Sequence, residues 1–185
     1  MLWKNFLKKQ INRYYPYLGE GFRNLIADIY WPLMLFFLMI NIREIGGLYT
    51  LTNGVLAFVT LFIGNITNDS NKHRILNIGV LLHSFSLFIR VLLKNIVTIA
   101  IVQSLGALSF SMIRTPFESI HYNKSKKEGI AQTIYAREIY LHIGKIFGFF
   151  VLFLSLVIFK NNVTALVITI IFASFATILM SKIKE

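Results

Sequence analysis

The stretch YAREIYLHIGKIFGFF places Glu138, His142 and Lys145 at i, i+4 and i+7, on one face of a helix, with Arg137 at its border. An acid, an imidazole and an amine in one line are the groups needed to relay a proton or to wall a polar solute path. Most of the residues around them are apolar. A charge held at a bilayer centre costs roughly 2.5–3.5 kcal/mol on an insertion scale, so such groups are expected to face a protein interior or water. A plainer reading starts the span near residue 143 and leaves Arg137 and Glu138 in a helical extension. The apolar run after Lys145, about 14 residues, is too short to cross alone, which keeps His142 and Lys145 at least in the inner leaflet. Gly144 and Gly148 form a G-x-x-x-G that admits a neighbouring helix.

Asp28, in LIADIYWPLM, lies about one and a half turns inside another apolar run. It is a candidate proton or cation site, or the partner of Arg137 or Arg23. Pro32 frees a backbone carbonyl near residue 28, which predicts a hinge or binding kink there. Further on, SMIRTPFESIHYN sets Arg114 and Glu118 at i, i+4 around Pro116. Asp69–Arg114 and Glu118–Arg137 are candidate ion pairs at that end of the chain's helices. His83, Ser84, Ser86, Gln103 and Ser104 are expected to tie helices together. Arg90 and Lys94 are expected to snorkel to an interface, and Trp31 to be an ordinary interface or packing aromatic. Enzyme chemistry finds little support. The four histidines are dispersed, no H-E-x-x-H, G-x-S-x-G or P-loop occurs, and cysteine is absent. No catalytic residue, metal or cofactor is expected.

The elements that must position these residues are membrane helices. The chain has 185 residues, 56% hydrophobic and 15% charged, against about 45–50% and about 25% in soluble domains. Six runs are long and apolar enough to cross a bilayer: near 22–42, 47–66, 75–93, 95–115 with a helical continuation to His121 as an option, one within 130–159, and 163–181. Short links (1–2, 3–4, 5–6) alternate with longer ones, as in three helical hairpins opening to one side. Of the 19 Lys and Arg, thirteen fall on the side holding both termini, which predicts cytoplasmic termini. The net charge of +11 is then a matter of lipid headgroups and topology, and nucleic acid is not an expected partner. Residues 1–20 read as a basic amphipathic interfacial helix or linker, 21–182 as the bundle and 183–185 as a tail. No cleavable signal is expected at the N-terminus.

The polar stretch GNITNDSNKHR, residues 64–74, joins the second and third spans. Its spacing resembles the signature loop of the major facilitator superfamily, G-x-x-x-D-(R/K)-x-G-(R/K)-(R/K), which sits between the second and third helices of each six-helix half. Gly64 matches the first Gly and Lys72 the first of the basic pair, with His73 and Arg74 extending the basic end. Asn68 stands where the family has Asp, Asp69 where it has a basic residue, and Asn71 where it has the second Gly. From the residues alone, Gly64 should permit close helix contact, Asn71 should suit a tight turn, and Asp69 is the acid available to offset Lys72 and Arg74.

The resemblance implies a half bundle of six transmembrane helices, like the C-terminal half of such a transporter. It implies movement of a small solute by alternating access, with proton coupling as an option. Gly64, Asn68, Asp69, Asn71, Lys72, Arg74, Arg114 and Glu118 would form the latch. Asp28, Arg137, Glu138, His142 and Lys145 would form the substrate or proton path. Expected partners are membrane lipid and a second six-helix half, from this chain or another, in a plasma (inner) membrane. The alternative is a non-transporting membrane module or truncated remnant that assembles with another subunit.

Overall fold

The computed structural model describes residues 14–38 and 40–184. Among these residues the regular structure is entirely helical. Helix α1 runs through three segments, Pro16–Leu25, a π-helical turn Ile26–Tyr30, and Trp31–Phe37. Then come α2 (Ile42–Ile66), α3 (Lys72–Arg90), α4 (Ile96–Glu128), α5 (Ile130–Phe159) and α6 (Asn162–Thr177), the last closing in a 3-10 turn, Ile178–Lys182.

Three short turns begin α2, α4 and α6 by one device. Asn41, Asn95 and Asn161 each turn a side-chain oxygen onto a backbone N–H of the first turn, at 3.0, 2.8 and 3.0 Å. These caps satisfy donors that the helix itself leaves open. Asn41 completes a reciprocal box, because Glu44 accepts from the Asn41 N–H. At the other end α4 passes into α5 through Gly129 alone, whose φ of 99° suits glycine.

Among the described residues four helices are long and apolar enough to cross a membrane: α2, α4, α5, and α6 with its closing turn. The expected all-helical membrane class agrees with this. The other two expected spans are weaker on length and polarity. Helix α1 carries Glu20, Arg23 and Asp28, and α3 is 19 residues opening on Lys-His-Arg and ending on Arg90. Neighbouring helices bury much of both. The 33 residues of α4 reach about 50 Å at 1.5 Å per residue, well beyond about 30 Å of hydrocarbon.

Helix α1 packs on α5 and α6, α4 on α2 and α3, and α3 on α6. Exchanging α1 with α4, α2 with α5 and α3 with α6 reproduces this set of neighbours. The α5–α6 contact is the exception. The first three helices thus repeat, in their packing, what the last three do.

Small residues set the closest approaches, as expected where lipid outside removes the hydrophobic drive between helices. A Cβ on Gly21 would fall on the Leu141 backbone, and one on Gly144 would fall on the Leu18 backbone. Gly148 makes room for Leu25. The G-x-x-x-G of α5 therefore seats α1. Gly64 departs from expectation, because among the described residues nothing lies within 4 Å of the space its side chain would fill, and no described helix docks there. Large apolar side chains cover the outside of the bundle, among them Phe58 and Phe62 on α2, Phe85 on α3, Phe150 and Phe153 on α5, and Phe175 on α6.

Candidate functional site

Helices α1 to α4 border an open cavity of about 230 Å³ with several polar side chains in its wall. Helix α1 supplies Arg23, Asp28 and Trp31, and α2 supplies Tyr49, Thr52 and Asn53. His83 and Arg90 come from α3, and Gln103, Gly106 and Phe110 from α4.

Local structure explains how each side chain reaches the cavity. Pro32 has no N–H to give to the carbonyl four residues back, and the preceding turn widens, with the Trp31 N–H bonding to Ile26 O five residues earlier. Asp28 lies inside that widened turn and is exposed. Gly79, His83, Ser86 and Arg90 recur at i, i+4, i+7 and i+11 of α3, a stripe turned toward α4. His83 Nδ1 lies 3.1 Å from both Gly106 O and Ser109 Oγ. The Ser109 hydroxyl itself donates to Gly106 O at 2.9 Å, so Nδ1 carries the proton and Nε2 the free lone pair. Ser86 donates to Val102 O at 3.0 Å, which ties α3 to α4 as expected.

The two arginines are unusual. Arg90 is only 7% exposed, its guanidinium lies 5.2 Å from the Trp31 ring, and its Nε has no partner. It occupies the space a Cβ would take at Gly106. Arg23 stacks 3.7 Å over Phe110, donates to the Asn24 side chain, and also leaves Nε unpaired. Neither forms an ion pair with a carboxylate among the described residues. Trp31 donates its indole N–H to Gln103 Oε1 at 2.9 Å. An indole can only donate, so the Gln103 amide presents its N–H groups elsewhere. The Tyr49 hydroxyl is buried without a partner.

A second cavity of about 290 Å³ lies toward the end bearing the GNITNDSNKHR loop, lined by Glu20, Arg23, Asn24, Phe110, Arg114 and Glu118 among others. Arg23 and Phe110 belong to both linings, so this stacked pair lies where the two spaces adjoin. Beside the outer space Arg137 of α5 joins three helices. Its Nη2 is 2.5 Å from Glu20 Oε1 of α1 and 2.6 Å from Glu118 Oε1 of α4. The Tyr17 hydroxyl meets His121 Nδ1 at 2.8 Å below it.

Of the two expected rim pairs, Glu118–Arg137 is formed and Asp69–Arg114 is not. Asp69 pairs instead with Lys72 at 2.7 Å. That hydrogen bond, with the Lys72 charge, holds the Asp69 carboxyl below its usual value. The loop closes on its asparagines. Asn68 Oδ1 accepts from Ser70 and Asn71, while Asn71 returns a bond to Asn68 N and donates to Ile66 O at 2.7 Å. Lys72 is buried, whereas His73 and Arg74 are exposed.

The expected face of α5 lies elsewhere than the cavity. Glu138 and His142 are exposed, 4.0 Å apart, and Lys145 is half-buried; none lines either polar cavity. Packing against α1 is assigned to the glycine face of α5, which turns this polar face outward. Asp28 pairs with neither Arg137 nor Arg23. The Arg90 side chain does not snorkel outward, because the missing Gly106 side chain gives it an interior berth. Of the basic amphipathic lead-in expected over residues 1–20, residues 1–13 lie outside the described residues, while residues 16–20 open helix α1, and Tyr14 and Tyr17 are buried in the bundle core.

Sequence reasoning missed Arg23, Arg90, Trp31, Gln103 and Glu20 as site residues. The polar stripe on α3 was a usable signal, since a charge ending such a stripe faces protein more readily than lipid. No protein-family model, curated protein or solved structure matches this chain.

Proposed function

We propose that the chain is a membrane transport protein, acting as a six-helix half that moves a small solute along the interior of the bundle. The observation that carries this reading is the pair of neighbouring cavities, each with charged groups in its wall, that share the stacked Arg23 and Phe110. A lipid-facing bundle gains nothing in stability from ionised groups along its axis, and intramembrane charge is a mark of solute or proton pathways. The exchange pattern of three-helix repeats supports it too, because transporters of the major-facilitator type nest such repeats in each half. In this reading the termini are cytoplasmic, Arg137 with Glu20 and Glu118 forms the latch at that end, and the Arg23–Phe110 stack is the inner constriction. Asp28 is the acid available for proton coupling. A second half, from this chain or another, covers α2 and α5.

The chain lacks cysteine, so single cysteines report cleanly on access. In sealed vesicles, Asn53→Cys and Arg114→Cys should react with an impermeant thiol reagent from opposite faces. Adding Arg137→Ala should open Asn53→Cys to the face of Arg114. Reaction of both from one face with the latch intact, unchanged when it is cut, would end the transport reading. A second reading, a subunit that only assembles with another chain, is favoured by the apolar outer faces of α2 and α5. It predicts oligomers with no change of access.

A further inference from the structure

We infer that the central cavity is a binding site for a small oxyanion, a carboxylate or phosphate group held between Arg23 and Arg90. This rests on the transport reading only in taking that anion to be the solute moved.

The lining is an inventory of donors. Arg23, Arg90, Gln103 and Tyr49, each a bearer of hydrogen-bond donors, all line the space. Both arginine Nε atoms and the Tyr49 hydroxyl are buried with no partner. A buried donor left unpaired carries its full desolvation penalty, and an unpaired charge carries more. Against two cations the lining sets one carboxylate, Asp28, which is exposed and paired with neither. An anion in this space would offset the surplus charge and engage the open donors. Guanidinium planes suit carboxylate and phosphate because both oxygens are met at once.

Shape narrows the class further. About 230 Å³ falls below the 300–1,000 Å³ usual for drug-sized ligands, which suits a small guest. Trp31 and Phe110 keep the guanidiniums in place from their ring faces, and Gly106 leaves the Arg90 head its room. The free lone pair of His83 Nε2 gives the cavity one acceptor for an O–H on the guest.

The experiment uses the full chain carrying Trp3→Phe, so that Trp31 beside the site is its one tryptophan; in nanodiscs of neutral phosphatidylcholine it is titrated with inorganic phosphate and with acetate while that fluorescence is followed. Saturable binding is expected. Arg23→Lys and Arg90→Lys, which keep charge but lose the fork, should weaken it at least tenfold, and Arg23→Gln or Arg90→Gln should abolish it. Lys160→Gln, in a remote turn, should change nothing. Should a Gln variant fail to fold by circular dichroism and gel filtration, the Lys variants decide. A second set of nanodiscs containing phosphatidylglycerol separates the sources. Loss of free-phosphate binding there identifies a lipid headgroup as the occupant, which keeps the oxyanion site and removes the solute assignment. No saturable binding in either membrane, or equal binding by folded wild type and arginine variants, overturns the inference. Binding without flux in proteoliposomes would remove transport and leave the site. Flux of neutral solutes without anion binding would do the reverse.

Discussion

The guanidinium of Arg90 fills the space that a side chain on Gly106 would require. One helix therefore lends an empty position so that its neighbour can hold a charge inside the bundle. Gly106→Ala should displace the flexible Arg90 head at about 1–3 kcal/mol of stability and weaken oxyanion binding at least tenfold. Gly79→Ala is the control. Its Cβ would meet Met112 Cβ at 2.7 Å on the same α3–α4 contact, so stability should fall while affinity in the folded fraction holds. Isothermal titration beside thermal unfolding separates the two.

The Arg137 clamp should show a graded response. Arg137 and Glu20 are mostly buried, with side chains 17% and 12% exposed, while Glu118 is 46% exposed. Removing the shared cation leaves two acids facing each other, so Arg137→Ala should cost about 3 kcal/mol. Glu118→Ala should cost about 1 kcal/mol or less, because water already screens that pair. Glu20→Ala should fall between. Unfolding in a denaturing-detergent titration gives the order, and equal effects from all three would show that Arg137 is no bridge.

The α1–α5 seam makes a sharper test of packing. Gly21→Ala and Gly144→Ala press on backbone, which cannot move aside, and each should cost roughly 2–3 kcal/mol. Gly148→Ala meets only the Leu25 side chain and should cost less, and Gly64→Ala, in open space, should be close to neutral. The same unfolding titration reads all four.

In the GNITNDSNKHR loop, asparagine rather than charge closes the turn. Asn71→Ala, which removes bonds to both Asn68 N and Ile66 O, should destabilise more than Asp69→Asn. The Asp69 carboxyl titrates below its unfolded value. Its contribution is thus present above about pH 4, the ordinary carboxyl range, and is lost as pH falls through the folded value. Asp69→Asn should remove only that acid-side slope from a stability profile measured between pH 7 and pH 2. A change in slope near neutrality would assign the effect elsewhere.

Helix positions were largely legible because runs of apolar residues are local signals. The fifth span was expected somewhere within about 130–159, and the helix fills that whole stretch, Ile130–Phe159. The α5 glycine pair was legible as a contact, and so was Glu118 opposite Arg137. The central cavity was not, since Arg23, Arg90 and Gln103 lie on three helices and only packing brings them together. Glu138, His142 and Lys145 misled for a related reason. Their spacing names a shared face without saying where that face points, and the glycines on the other side of α5 decided it.

The central claim is a lipid-clad bundle with a wet, polar interior, and nitroxide labels on single cysteines test it most directly. In lipid bilayers, labels at Phe85 and Phe175, exposed on α3 and α6, should collide with oxygen and be shielded from a water-soluble nickel chelate. Labels at Thr52 and Asn53, on the cavity wall, should show the opposite, and phosphate should lower their access to the chelate. Equal oxygen access at all four positions, with no chelate reaching Thr52 or Asn53, would contradict it.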